Sequence, residues 1–431
     1  MIAATNSKKN DYTIAITIIG ILFFIFGFIT WLNATLIPYL RTACELTSLE
    51  SYFVTFAFYI SYFVMAIPSS KVLEKTGFKK GMSIGLLAMA AGALIFIPAA
   101  LTRTYTWFLF GLFVQGTGLA LLQTASNPYV TILGPIESAA KRISIMGVAN
   151  KFAGILSPVI LGAILLKGLG KFKDQLTTMG AADKVAALDQ LAHKVIFPYV
   201  IMAIVLVLLA LLIIFSPLPE VEAEEGEGEE ETANGTSEQA VEKTSILQFP
   251  YFWLGVITLF FYVGAEVVAV DTLINYGLSL GFDIKEAKFF SSFTLIAMIV
   301  GYIFGIIAIP KYITQQKALL YFSLMGILFT AVAVTSQGYT SILAVAALGL
   351  ANSIMWPSIW PLAIHGLGKY LKLGSAIMIM AVAGGALIPL LYGYLAGLPY
   401  PHSSTHAYSI LFVSYLVIFY FAAAGYKVGR K

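Results

Sequence analysis

Two carboxylates sit where a membrane-crossing helix would tolerate them least. The stretch Phe252 to Gly277, FWLGVITLFFYVGAEVVAVDTLINYG, carries Glu266 and Asp271 well inside its ends. At about 1.5 Å of rise per residue it is long enough to cross a bilayer. An acid at that depth is costly unless a partner or a wet cavity receives it, so it marks an ion or substrate path. At about 100° per residue the two acids stand about 140° apart and about 7.5 Å along the axis. They share a face only if the helix unwinds, as Gly264 would allow. Asp271 does share a face with Asn275, and Thr272 adjoins it. A carboxylate with hydroxyl and amide oxygens suits a small hard cation, Na⁺ being the one metal ion expected; a carboxylate alone suits a proton.

Lys151 is the one lysine or arginine placed well within an apolar run, in VANKFAGILSPVI. About eight residues into its helix it lies about 12 Å deep. It either snorkels to the near surface or forms a buried pair with Asp271 or Glu266, which would make the acid's protonation switchable. Amides recur at Asn33, Gln123, Asn127, Asn150, Asn275 and Asn352. Each offers donor and acceptor together, which matches sugar hydroxyls; used otherwise, each would be interhelical glue. Gln123 and Asn127 lie one turn apart, just before Pro128, a residue expected to interrupt the helix. Trp356 and Trp360, near Asn352, could pack on the apolar face of a pyranose or sit in an interfacial belt.

The elements that must position these residues follow from hydropathy. The 431 residues are 59% hydrophobic and 11% charged, with a mean hydropathy of +0.87. A soluble domain is nearer a quarter charged. Apolar runs predict twelve spans, at 13–40, 50–71, 81–101, 106–133, 143–167, 195–216, 251–277, 286–309, 318–336, 340–365, 373–397 and 407–427. The predicted class is an all-α polytopic membrane protein with two pseudo-symmetric six-helix bundles, 1–216 and 251–431. The acidic segment 217–250, with EVEAEEGEGEE, joins them as a cytoplasmic linker. The run 13–40 exceeds a signal peptide's apolar core and counts as the first span.

Lysine and arginine in the short loops favour cytoplasmic termini: Lys8, Lys9, Lys71, Lys75, Lys79, Lys80, Lys141, Arg142, Lys311, Lys317, Lys369, Lys372, Lys427, Arg430 and Lys431 fall inside. Opposite lie Arg41, Arg103, Lys285, Lys288 and a cluster within 168–194, whose pattern fits a short amphipathic surface helix. The loop after the second span, with Glu74, Lys75, Gly77, Lys79 and Lys80, could clamp neighbouring helix ends as a gating loop. Offsetting the chain by 237 residues aligns Gly27 with Gly264 and Ala34-Thr35-Leu36-Ile37 with Asp271-Thr272-Leu273-Ile274, the weak internal symmetry that transporter halves carry. Ala34 is then the mirror position of Asp271.

Cys44 is the single cysteine, and His193, His365, His402 and His406 are dispersed. No phosphate-binding loop, zinc spacing or catalytic constellation stands out, so neither an enzyme nor a bound cofactor is expected, and no nucleic-acid partner.

Twelve spans in six plus six, with the basic loop 70–80, resemble the major facilitator superfamily, Ser70 and Glu74 replacing that motif's glycine and aspartate. More specific is Leu122-Gln123-Thr124-Ala125-Ser126-Asn127-Pro128-Tyr129-Val130-Thr131-Ile132-Leu133-Gly134-Pro135, followed by Lys141-Arg142 and Asn150. With Leu32 to Pro38 and Tyr262 to Ala265, it is similar to the fucose/glucose–galactose symporter family along essentially the whole chain. The resemblance implies sugar uptake by alternating access, driven by a cation gradient. Its fucose–proton member has an aspartate and a glutamate where this chain has Ala34 and Gln123, so coupling is expected to move to Asp271 with Glu266. The expectation is a monomeric hexose importer, for glucose or galactose with H⁺ or Na⁺, in the bacterial inner membrane. In it Asp271, Glu266, Thr272, Asn275 and Lys151 handle the cation, and Asn33, Gln123, Asn127, Asn150, Asn352, Trp356 and Trp360 the sugar. The rivals are an uncoupled facilitator and a membrane sugar sensor that signals through the linker.

Overall fold

The computed structural model describes residues 2–132, 139–216, 245–309, 311–367 and 370–429; the acidic linker and the basic residues Lys369, Arg430 and Lys431 lie outside them, as do the side chains of Lys8, Lys9, Asn127, Lys141, Arg142 and Lys372. Among these residues eleven helices are long and apolar enough to cross a membrane. One of them, Phe53–Leu101, spans 49 residues and is broken at Gly77 (φ 72°, ψ 172°), a conformation that costs little only without a Cβ. Gly81 there packs on Leu73, so the chain folds back and the limbs are two crossings. Twelve crossings result. An even number puts both chain ends on one face, called here the terminal face.

The first half contains α1 (Ile2–Thr30), α2 (Asn33–Ala43), α3 (Phe53–Leu101), α4 (Tyr105–Ile132), α5 (Ala139–Leu165), α6 (Leu169–Leu176), α7 (Ala181–His193) and α8 (Ile196–Phe215). The second contains α9 (Pro250–Asp271), α10 (Leu273–Ser279), α11 (Phe290–Ala308), α12 (Gln315–Thr335), α13 (Gly338–Asn352), α14 (Met355–Ile364), α15 (Leu371–Met380), α16 (Gly384–Ala396) and α17 (Ile410–Ala423). The surface helix expected within 168–194 is two helices, α6 and α7. Pro128 does not interrupt α4, which runs on to Ile132; membrane helices absorb a proline where neighbours satisfy the freed carbonyl.

The first, seventh, tenth and eleventh crossings are each split into two helices, α1/α2, α9/α10, α13/α14 and α15/α16. Close approach is built with glycine at matching places. A Cβ on Gly27 of α1 would fall 1.8 Å from the Asn150 carbonyl oxygen of α5. A Cβ on Gly264 of α9 would fall 2.3 Å from the Ile388 side chain of α16. These glycines are mirror positions in the 237-residue offset. Gly264 therefore lets two helices touch; it does not unwind α9, which is helical through it. The halves meet along two seams, α3 against α15 and α16, and α5 against α11.

Candidate ion and substrate site

The continuous turn of α9 sends its two acids to different neighbours. Glu266 faces α5, where Lys151 Nζ donates to its Oε1 at 2.6 Å. Both are buried, at 8% and 7% exposure. The ammonium also lies 4.2 Å from the Trp31 ring centroid, over the indole between α1 and α2. Lys151 thus does not snorkel; its charge is received by a carboxylate and a π face. Trp31 packs in turn on Val270, Leu295 and Met298 of the second half. The pair is a tie across the interface between halves.

Asp271, at 0% exposure, faces α3. Thr55 Oγ1 donates to its Oδ2 at 3.2 Å, again across the interface, and Oδ1 has no hydrogen-bond partner among the described residues. The oxygen set expected beside it is engaged elsewhere. Thr272 donates to the Val268 carbonyl at 2.7 Å and shares a 2.7 Å hydrogen bond with the Tyr408 hydroxyl. Asn275 Oδ1 accepts from Arg41 Nη1 at 3.2 Å, and its Nδ2 donates to the Tyr52 hydroxyl at 3.4 Å. A turn's spacing predicts Asn275 on the face of Asp271, and Thr272 adjoins it, but both side chains meet other partners. Among the described residues no cluster of three or more His, Cys, Asp or Glu could hold a metal.

The amides divide by what they touch. Asn33, at the start of α2, is fully buried with neither side-chain atom hydrogen-bonded among the described residues. Asn352, at the end of α13, accepts from the Tyr415 hydroxyl at 3.0 Å, and its Nδ2 has no partner among the described residues. Buried polar atoms are costly without partners, so such orphans mark places where a ligand or water belongs. Asn150 instead donates to the Phe23 carbonyl at 3.3 Å, tying α5 to α1. Gln123 is half-buried on α4. Trp356 and Trp360 stack on each other at 5.4 Å and 20°, and Tyr262 of α9 approaches Trp356 at 6.4 Å. Both indoles are half-buried.

Thr55, Arg41, Tyr52 and Trp31 were not picked out from sequence. A hydroxyl near a span end, a rim arginine and an apolar aromatic carry no local mark of importance. Trp31 Nε1 is a further buried donor with no partner among the described residues, two positions from Asn33.

The basic loop behaves locally. Lys79 Nζ donates to the Ser216 carbonyl at 2.7 Å, at the end of α8 in the same half, where a cation suits the helix dipole. Glu74, Lys75 and Lys80 are exposed and form no ion pair among the described residues.

The model of the Major Facilitator Superfamily matches residues 19–389. A glucose/galactose transporter of Brucella abortus (strain 9-941) is 34% identical over 399 residues, covering 91% of this chain and 90% of that protein. The L-fucose-proton symporter of Escherichia coli K12 is 28% identical over 397 residues, covering 90% and 88%. The crystal structure of the transporter FucP in the outward conformation superposes with a TM-score of 0.72 at 27% identity, covering 96% and 98%.

Proposed function

The chain belongs to the major facilitator superfamily, and on that premise we propose that it imports a hexose, glucose or galactose, together with a proton. The carrying observation is the contrast between its two acids. Glu266 is neutralised by Lys151. Asp271 is fully buried with one hydroxyl as its described partner. A buried charge without a counter-charge is costly, so such a carboxylate is held most cheaply when a proton or cation joins it. Hard cations gather several oxygens; with Thr272 and Asn275 engaged elsewhere, the surroundings favour H⁺ over Na⁺.

Asp271 would then carry the transported proton in place of the acids that Ala34 and Gln123 replace. Lys151 and Glu266 would tie the halves and release on rocking. The orphaned atoms of Asn33 and Asn352 would take sugar hydroxyls, with Gln123, Asn127 and Asn150 completing the polar wall and Trp356 and Trp360 offering an aromatic face to the ring. The relatives named for glucose/galactose and for fucose with a proton support this substrate class and this coupling ion. The halves, 1–216 and 251–431 with the linker between, would rock about a midplane site. The lysines and arginines of the terminal face support cytoplasmic termini and an inner-membrane monomer.

Gradient-driven uptake in proteoliposomes tests the proposal. A pH gradient should drive labelled glucose or galactose above equilibrium, and a Na⁺ gradient should not. Accumulation under Na⁺ alone would overturn the proton assignment, and equilibration under both would make the protein an uncoupled facilitator.

A further inference from the structure

On the face opposite the termini the halves meet in a mouth floored by the bridge Arg41–Asn275–Tyr52. Two cavities open beside Arg41, of about 420 and 370 Å³. Both fall in the range of roughly 300–1,000 Å³ usual for small-molecule sites. The larger is walled by Tyr52, Tyr392 and Tyr394 with Ser48 and Ser279. The smaller is lined by Thr42, Lys173, Leu278 and Ser279. Arg41 and Asn275 border both, so an occupant of either touches both halves.

The charges at this mouth do not balance. The described ion pairs are Arg103–Asp189, Lys151–Glu266 and Lys184–Glu45. Glu45, the one acid lining the smaller cavity, is thereby taken by Lys184 at 2.6 Å. That leaves Arg41 and Lys173 facing one space, with no ion pair among the described residues. Lys173 is held below the ordinary lysine range, by loss of solvent around its ammonium and then by the Arg41 charge. Among the described residues Arg41 spends one donor, on Asn275, and the rest of its fork can serve a ligand.

We infer that this mouth is an oxyanion site, in which Arg41 and Lys173 receive the carboxylate or phosphate of a hexose-sized solute whose ring lies against the tyrosines. A planar guanidinium beside an ammonium matches such a group in shape and charge. The site exists only while α2 and α10 are together, because its walls come from both halves. Its occupant binds the closed mouth better than an open one and shifts the population toward closure. It therefore slows sugar exchange without competing for the sugar's own site, and the coupling is reciprocal.

The test uses the full-length protein in detergent, with melting followed in sodium glucuronate, inorganic phosphate and chloride at constant ionic strength. Glucuronate and phosphate should raise the melting temperature above the chloride baseline. Lys173→Gln and Arg41→Gln should each raise the concentration needed by roughly tenfold, the loss of one charge-assisted contact. In proteoliposomes glucuronate should lower the maximal rate of sugar counterflow, a loss that saturating sugar does not restore. A response no larger than chloride's, or one that Lys173→Gln leaves intact, overturns the inference. Competitive inhibition would place glucuronate in the sugar's site and overturn it too. Should Arg41→Gln fail to fold, Lys173→Gln on the exposed α6 still decides the matter. The melting arm needs no transport, so it stands even where the sugar–proton reading fails.

Discussion

Glu266 and Asp271 lie five positions apart on one helix, carry the same group and are both buried. Their company differs in kind. Glu266 has a lysine at 2.6 Å and, through it, an indole; Asp271 has a threonine hydroxyl at 3.2 Å. Burial alone therefore does not assign a role to a membrane acid. An acid with a counter-charge on the other half keeps its charge while the halves are together there, and serves as a tie. An acid without one changes energy steeply when a proton arrives or leaves, which is what coupling requires.

The largest effect expected from this contrast is on accumulation. Asp271→Asn should bring gradient-driven uptake down to equilibration while counterflow persists, read from labelled sugar in proteoliposomes. The double variant Lys151→Met with Glu266→Gln should still accumulate. If the double variant loses accumulation as fully as Asp271→Asn, the two acids share one role and the contrast collapses. Next comes stability. Lys151→Met alone strands a buried carboxylate and should cost about 3–5 kcal/mol, whereas the double variant should recover most of it. Thermal unfolding of the wild type, Lys151→Met, Glu266→Gln and the double variant in detergent gives the coupling; additive effects would deny the pair its structural weight.

A smaller effect compares the two halves instead of the two acids. Gly27→Ala and Gly264→Ala each push a Cβ into a neighbouring helix, at 1.8 Å from a carbonyl oxygen and 2.3 Å from a side chain. Each should cost about 1–3 kcal/mol by overpacking, Gly27→Ala the more because backbone yields less than Ile388. The smallest effect is that of Thr55→Val. It removes one hydrogen bond and should cost about 1 kcal/mol in melting while leaving accumulation in place. Loss of accumulation there would make Thr55 part of the coupling machinery.

Much of this architecture is legible in sequence. Twelve crossings, helical structure within 168–194 (though two helices and not one), the turn at Gly77 and the depth of Glu266, Asp271 and Lys151 all follow from local properties. The 237-residue offset aligns Gly27 with Gly264, and the structure gives both the same work, close packing of helices. Other expectations failed at one step, from shared face to shared partner. Thr272 and Asn275 were grouped with Asp271 by spacing, but Tyr408 and Arg41, more than 130 positions away in each case, take them. Proline at 128 does not stop α4, as membrane helices tolerate a proline that soluble ones do not.

Solvation explains the division. Whether a residue must leave water depends on its own chemistry and its run of neighbours, so the string of residues alone determines the spans, the buried charges and the costly places in them. Which group meets a buried charge depends on which helices abut. Lys151 and Glu266 are 115 positions apart, and Thr55 and Asp271 are 216. No local pattern encodes those meetings. They arise when α5 and α3 are laid against α9, and that packing alone made one acid a tie and left the other a candidate for the proton.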